Sequence, residues 1–311
     1  MRIVFMGTPQ FAVYALQALN ESEHEVVGVV TSVDKPAGRG KLLRQSAVKK
    51  YAAAEKICLH QPENLKDPAF IKELELLNAD IFIIVAFRML PKTVWRIPLK
   101  GTFNLHASLL PNYRGAAPIN WAIINNETTT GATTFYIDDK IDTGAILLKE
   151  ELVIEPTETF GSFHDKLAPL GANLIIKTLD YIETNPTPIP QLLTGDEKEA
   201  PKLTKKNTKI DWKHSLKYID GLVRGLNPYP VAWLEIQNGE SVLKVKIFKV
   251  TPTFQTHNFE VGRIFIDDKK IKIAHKEGML TLEELQLPNK KRMHAQALLN
   301  GFTFENCAEV L

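Results

Sequence analysis

The sequence predicts an α/β protein: a Rossmann-like, mostly parallel sheet in an N-terminal domain, followed by a small OB-like β-barrel. Three observations carry this. Apolar strand-like runs alternate with helical periodicities over the first half. A proline-bearing stretch at residues 185–209 then turns basic, with Lys202, Lys205, Lys206 and Lys209. Beyond it, one helical pattern leads into closely spaced short strands with turn residues between them. The expected divisions are 1–189 for the first domain, 190–208 for a basic linker and 209–311 for the second domain.

Residues 3–6 form an apolar run that breaks at Gly7-Thr8-Pro9, and Phe11, Ala15, Ala18 and Leu19 line one face of the helix that follows. Strands are expected at 26–30, 81–86 and 102–106. The run at 81–86 is apolar throughout, as in a strand covered on both faces. Pro118 opens a helix through Ile119, Ile123 and Ile124. Residues 132–137 and 145–150 bracket a short loop and read as a hairpin. Phe163, Leu167, Leu170 and Leu174 have helical spacing, and Pro169 among them predicts a kink or a break. In the second domain Leu216, Ile219, Val223 and Leu226 share a helix face that ends at Pro228. Strands are expected at 232–236, 242–250, 262–266, 271–274 and 279–287.

Composition narrows the class. With 311 residues, 44% hydrophobic and 24% charged, the chain can bury sizeable cores without metals or disulfides. Its two cysteines, Cys58 and Cys307, have no partners at metal-ligand spacing. A disulfide scaffold and a zinc site are therefore not expected, and a reduced, cytoplasmic setting is. No apolar run is long enough to span a bilayer. The chain opens almost directly into a strand, without a signal or transit pattern. The net charge of +2 divides unevenly: residues 1–197 hold 19 Lys and Arg against 23 Asp and Glu, and residues 198–311 hold 19 against 13. A surplus of +6 in the last third suits an anionic partner, although charge alone points first to a solvated face.

The first turn does not support a dinucleotide site. That fingerprint needs three glycines, only Gly7 is present, and Pro9 removes an amide that would meet phosphate. Gly38 and Gly40 lie in no strand–turn–helix unit, and a P-loop spacing is absent. The chemistry-bearing region is Asn104 to Pro118. Asn104 and His106, two apart on one strand, project together near its C-terminal end, where open α/β sheets place ligands. A carboxamide beside an imidazole suits a developing oxyanion. A second group, Asp138 to Gly144, occupies the hairpin loop, where a carboxylate would orient the His106 ring. Taken singly, each has a structural reading: a packing histidine, a polar turn, a core run ending at Pro111.

Together these motifs resemble the folate-dependent formyltransferases. The likeness lies in Asn104-x-His106-x-Ser108-Leu109-Leu110-Pro111, in Tyr113-Arg114-Gly115-Ala116-Ala117-Pro118-Ile119, in Asp142-Thr143-Gly144, and in Phe5-Met6-Gly7-Thr8-Pro9-Gln10-Phe11-Ala12. Residues 35–41 and Asn227-Pro228-Tyr229-Pro230-Val231-Ala232-Trp233 are similar to parts of the family's methionyl-tRNA branch. Ala86-Phe87-Arg88-Met89-Leu90-Pro91 departs from the pattern, which carries a glycine there.

The resemblance implies transfer of the formyl group of 10-formyltetrahydrofolate to the α-amine of initiator methionyl-tRNA. It implies Asn104, His106 and Asp142 as the catalytic set, and Ser108, Leu109, Leu110 and Pro111 along the folate pocket. It implies tRNA contacts from the loop bearing Lys35, Arg39 and Lys41, with Arg39 wedged into the acceptor stem. The basic surplus adds Lys205, Lys206 and Lys209 as tRNA contacts. No metal is required, no membrane is expected, and a monomer is expected. The nearest alternative is a sugar-nucleotide N-formyltransferase, which shares the Asn–His–Asp chemistry. A non-catalytic RNA-binding module would not need that set.

Overall fold

A computed structural model describes residues 1–37 and 42–311. Gly38, Arg39, Gly40 and Lys41 lie outside the described residues. The chain divides into two compact units. One holds Met1–Pro118, Thr129–Val153 and His164–Glu199; the other holds Ile119–Thr128, Ile154–Phe163 and Ala200–Leu311.

The first unit is built on a seven-stranded sheet. Its strands are β1 (Arg2–Gly7), β2 (Glu25–Val30), β3 (Leu59–His60), β4 (Ile81–Val85), β5 (Thr102–His106), β6 (Thr129–Tyr136) and β7 (Ile146–Val153). They run in the order β7-β6-β5-β4-β1-β2-β3. β3, β2, β1, β4 and β5 are mutually parallel, whereas β6 and β7 are antiparallel additions. All five residues of β4 and five of the six in β1 are buried, as central strands covered on both faces must be. β7, at the edge, alternates after its first two residues and turns Lys149, Glu151 and Val153 outward.

Two helices of this unit start at side-chain caps. α1 (Gln10–Asn20) follows Pro9; α2 (Ala47–Ala54) has Ser46 accepting from the Lys49 amide. α3 (Pro68–Leu76) starts with Asp67 accepting from the Ala69 amide and with Pro68 in its first turn, where the missing N–H costs nothing. α4 (Lys92–Trp95) is a single turn. The chain leaves β2 and β3 on one side of β1 and returns to β4 on the other. The crevice at the C-terminal ends of β1, β4 and β5 is therefore the topological switch region that ligands favour in such sheets.

Pro169 does not break the helix: α6 (Phe160–Glu183) runs on as one helix of 24 residues. Proline fixes a helical φ and removes a single N–H. Leu167, Ala168, Ala172 and Leu174 are buried around it, and Gly171 lies so close to Leu105 that a Cβ there would meet Leu105 Cδ2 at 2.8 Å. This packing holds the helix through the missing bond.

The second unit centres on a barrel-like antiparallel sheet. Its strands are β8 (Ala232–Asn238), β9 (Ser241–Phe254), β10 (Ile264–Asp267), β11 (Lys270–His275), β12 (Gly278–Gln286), β13 (Met293–His294) and β14 (Glu309–Val310). The order is β10-β11-β12-β9-β8-β14, with β13 on β12. The ring is drawn together where the Ile264 amide donates to Ala308 O (3.0 Å) and the Val310 amide donates to Gly262 O (2.9 Å). β9 spans 14 residues and shifts register at 247/249 and 249/250. Such bulges bend a strand enough to serve two parts of a barrel.

Helix α7 (Leu216–Gly225) is capped by Ser215 and buries Leu216, Ile219, Leu222 and Val223 in the barrel's core cluster. It also receives α5 (Pro118–Ile124). A Cβ at Gly221 would lie 2.6 Å from Ile124 O and one at Gly225 would lie 2.8 Å from Asn120 O, so these two glycines permit backbone-to-backbone approach. Asn120 Nδ2 then donates to Gly225 O at 2.7 Å, and Arg224 donates to Asn126 Oδ1 (2.8 Å) and Glu158 O (3.1 Å). These contacts explain why residues 119–128 and 154–163 group with the C-terminal part of the chain. Of the stretch expected as a linker, 190–199 groups with the first unit and 200–208 with the second. No helix among the described residues is long and apolar enough to cross a membrane.

Candidate active site

The candidate catalytic residues sit at the C-terminal end of β5 and in the β6–β7 loop. His106 ends β5 and is buried, with its main chain in register with Thr133 of β6. Its Nε2 lies 2.7 Å from Tyr113 O, a partner that can only accept, so Nε2 carries a proton and donates. Nδ1 faces Asp142 Oδ2 at 3.7 Å. That separation is within ion-pair range but too long for a direct hydrogen bond. Both side chains are largely withdrawn from solvent, with relative exposures of 7% and 13%, which strengthens their electrostatic interaction.

Asp142 adopts φ +54°, a left-handed conformation that Asp tolerates better than most residues. Its Oδ2 also accepts from the Gly115 amide at 3.0 Å. The segment Tyr113-Arg114-Gly115 therefore touches both members of the pair, the histidine through a carbonyl and the aspartate through an amide. Asn104, two residues before His106 and half-buried, shares its strand face. The Asn104 carboxamide makes no hydrogen bond among the described residues, leaving an N–H donor for a ligand. A donor, an imidazole and a carboxylate at one sheet edge can stabilise an oxyanion and move a proton in acyl transfer.

Residues 108–111 form a tight turn beside this set. Ser108 Oγ donates to Asn112 O at 2.6 Å, the Leu110 amide donates to Thr133 Oγ1 at 3.1 Å, and the Leu110–Pro111 peptide is cis. Ser108 and Leu110 are fully buried, Leu110 in a small cluster with Phe135 and Ile146, while Leu109 and Pro111 are half-buried. Lys149 Nζ donates to Leu110 O, and burial pushes the Lys149 amine below its usual pKa.

A cleft runs along the segment 86–91 that departs from the family pattern, and neither Asn104, His106 and Asp142 nor residues 108–111 are among its lining residues. About 430 Å³ in volume, it is lined by residues 63–66, by Arg88 to Lys92 with Trp95, and by Asp138 and Asp139. It combines the turn after β4 with the loop that carries Asp142. Ala86, at the end of β4, has φ +48°, a conformation uncommon for alanine that redirects the chain into this wall. Arg88 is fixed there by donating to Glu63 O (3.0 Å) and to Pro62 O. Burial lowers the Arg88 pKa from its ordinary value.

Residues 1–179 match the formyl transferase family, and residues 202–303 match the family's C-terminal domain. The chain belongs to the formyl transferase family. Its relatives include the methionyl-tRNA formyltransferase of Flavobacterium johnsoniae, 54% identical over 100% of this chain and 99% of that one. The methionyl-tRNA formyltransferase of Bacteroides thetaiotaomicron is 48% identical over 97% and 96% of the two chains. Among solved structures, a Helicobacter canadensis N-formyltransferase in complex with folinic acid and dTDP-3-aminofucose has the same fold. It superposes with a TM-score of 0.65 at 19% identity, over 94% of this chain and 99% of that one. HypX from Aquifex aeolicus in complex with tetrahydrofolic acid gives 0.62 at 18%, over 96% of this chain and 47% of that one.

The basic residues of this formyl transferase fall into distinct settings. Lys35 is exposed in a short ribbon whose partner strand includes Arg44; Arg39 and Lys41 lie outside the described residues. Lys205 and Lys206 are exposed and take no ion pair among the described residues. Lys209 differs: its Nζ lies 2.6 Å from Glu235 Oε2 and 5.5 Å from the centre of the Trp233 ring, which Lys244 approaches to 3.6 Å. Its charge is thus already balanced within the barrel. Away from the site, Glu23, His24 and Asp180 bring possible metal-ligand atoms within 4.8 Å of one another, but His24 Nδ1 is engaged by the Met1 amine at 3.2 Å.

Proposed function

We propose that this chain transfers the formyl group of 10-formyltetrahydrofolate to the α-amino group of methionine esterified to initiator tRNA. The observation that carries the reading is the meeting of His106 and Asp142 across 3.7 Å beside the open Asn104 carboxamide. It occurs in a chain similar along its whole length to methionyl-tRNA formyltransferases. The folate's ring system takes the cleft between Arg88 to Lys92 and Asp138–Asp139, whose volume is in the range of small-molecule sites. The turn at 108–111, which is not part of that lining, takes the formyl end by likeness to the family. Working as a monomer in the cytoplasm, the enzyme needs no metal in this scheme.

The chemistry follows from the residues. An ordinary α-amine has a pKa of roughly 7.7–8.0, so a usable neutral fraction exists near neutral pH. As the amine nitrogen bonds to the formyl carbon, the carbonyl electron pair moves onto oxygen, and Asn104 donates to it. The His106–Asp142 pair takes up the proton the amine loses and directs it to the departing folate nitrogen as that carbon–nitrogen bond breaks. The products are tetrahydrofolate and N-formylmethionyl-tRNA, with no covalent enzyme intermediate.

Incubating the purified chain with 10-formyltetrahydrofolate and either charged initiator tRNA or an amino-sugar nucleotide tests the reading. Formylation of the methionyl-tRNA is expected. Formylation of the amino sugar alone would replace this reading with the sugar-nucleotide one.

The basic surplus makes a second expectation. tRNA binding falls steeply with salt, with a slope near 0.7–0.9 per neutralised phosphate. Lys206→Ala lowers that slope by about one unit. Lys209→Ala changes it less, because Glu235 already compensates that charge. Equal changes at both positions would remove the distinction between free and paired lysines.

A further inference from the structure

We propose that Gln191 is a positioning residue for formyl transfer, acting on the reacting atoms only through Asp142. The inference rests on the assignment of His106 and Asp142 given above.

A glutamine side chain offers two N–H donors and one acceptor oxygen, and Gln191 uses all of them on the catalytic loops. Nε2 donates to Asp142 O at 2.9 Å and to Gly144 O at 2.8 Å. Oε1 accepts from Arg114 Nε at 3.1 Å and from Arg114 Nη2 at 2.5 Å. Arg114 precedes Gly115, whose amide holds the Asp142 carboxylate. Gln191 thus grips the main chain of Asp142 directly, and through Arg114 it grips the segment that supplies the carboxylate's amide donor. Asp142 stands at φ +54°, a sparsely populated conformation that persists only when its surroundings impose it. No other hydrogen bond among the described residues reaches the Asp142 carbonyl.

The alternative role, pinning residues 189–199 onto the first unit, is already served by other contacts. Ile189 exchanges both backbone hydrogen bonds with Ile146, at 2.7 and 2.9 Å. The Tyr113 amide donates to Lys198 O at 2.5 Å, and the Lys198 amide donates to Asn112 Oδ1 at 3.0 Å. Removing the Gln191 side chain leaves these intact. Its effect should therefore appear in the chemical step rather than in folding.

The test uses the full-length chain with Gln191→Glu, Gln191→Met, Asp142→Asn and the double variant Gln191→Glu/Asp142→Asn. Gln191→Glu keeps the shape and the Arg114 contact but loses both donors and faces two carbonyls with a charge. Single-turnover transfer rates, KM for both substrates and thermal melting are measured. A displacement of about 1 Å at a reacting group can cost on the order of a hundredfold. Accordingly, both Gln191 variants are expected to lower kcat by about 10- to 100-fold, with KM and melting temperature nearly unchanged. The double variant is expected to be no slower than Asp142→Asn alone, because two residues acting through one group are not additive. Wild-type turnover in the Gln191 variants would overturn the proposal. So would a loss in the Asp142→Asn background as large as that in the wild type, or a loss confined to KM or stability. Near-normal turnover of Asp142→Asn would instead sink the assignment of the pair itself.

Discussion

His106→Ala and Asp142→Asn are each expected to lower turnover at saturating substrates by on the order of a hundredfold or more, with the fold retained. His106 is buried, but its removal breaks one hydrogen bond, to Tyr113 O, and leaves β5 paired through its main chain to β4 and β6. Asp142→Asn is nearly isosteric. Its amide oxygen can still accept from the Gly115 amide, so the loop has reason to keep its shape while the charge facing His106 Nδ1 disappears. The two losses should not multiply: a variant carrying both changes is expected near the slower single variant, since the pair handles one proton. Circular dichroism and melting curves report the fold, and a quenched-flow formylation assay reports the rate. If either single variant kept near wild-type turnover, the centre of the reaction would lie elsewhere.

Gly144→Ala is expected to be as damaging from outside the proposed catalytic set. A Cβ at this position would stand 1.6 Å from Tyr136 O and 2.8 Å from the Tyr136 carbonyl carbon. Both belong to backbone that cannot swing aside. The strands at the mouth of the β6–β7 hairpin would have to part there, opposing the bond from the Tyr136 amide to Ala145 O at 2.9 Å. Overpacking of this kind costs about 1–3 kcal/mol, or several degrees of melting temperature in a unit of this size. Asp142 lies two residues away and moves with the loop, so a further loss of roughly a hundredfold in rate is expected from misplacement. Gly301→Ala is the control, because a Cβ there meets nothing within 4 Å. A Gly144→Ala protein with normal melting and normal turnover would show that the hairpin yields without cost.

The apolar runs made most of the architecture legible. β1, β2, β4, β5 and the five long barrel strands fall within a few residues of their expected positions because each is set by its own burial pattern. β3, β13 and β14 have two residues each and exist because a neighbouring strand offers bonds, so no local pattern announces them. The placement of 119–128 with the barrel's unit depends on Gly221 and Gly225 meeting α5, a pairing of distant segments.

For the site, Asn104, His106 and Asp142 stand out as side chains in recognisable motifs, and Arg114 lies within one. Gln191 sits among prolines with no pattern around it. The cleft is made from three separate segments, and no single stretch of sequence contains it.

The tripeptide Tyr113-Arg114-Gly115 holds His106 and Asp142 through a carbonyl and an amide, groups every residue but proline possesses in full. Information about the distance between His106 and Asp142 is therefore stored in chain geometry and not in side-chain chemistry. The vulnerable quantity is torsion: Tyr113 at φ +61° and Gly115 at φ +121° are the points where a change of residue preference would be read out as a change in the spacing of His106 and Asp142.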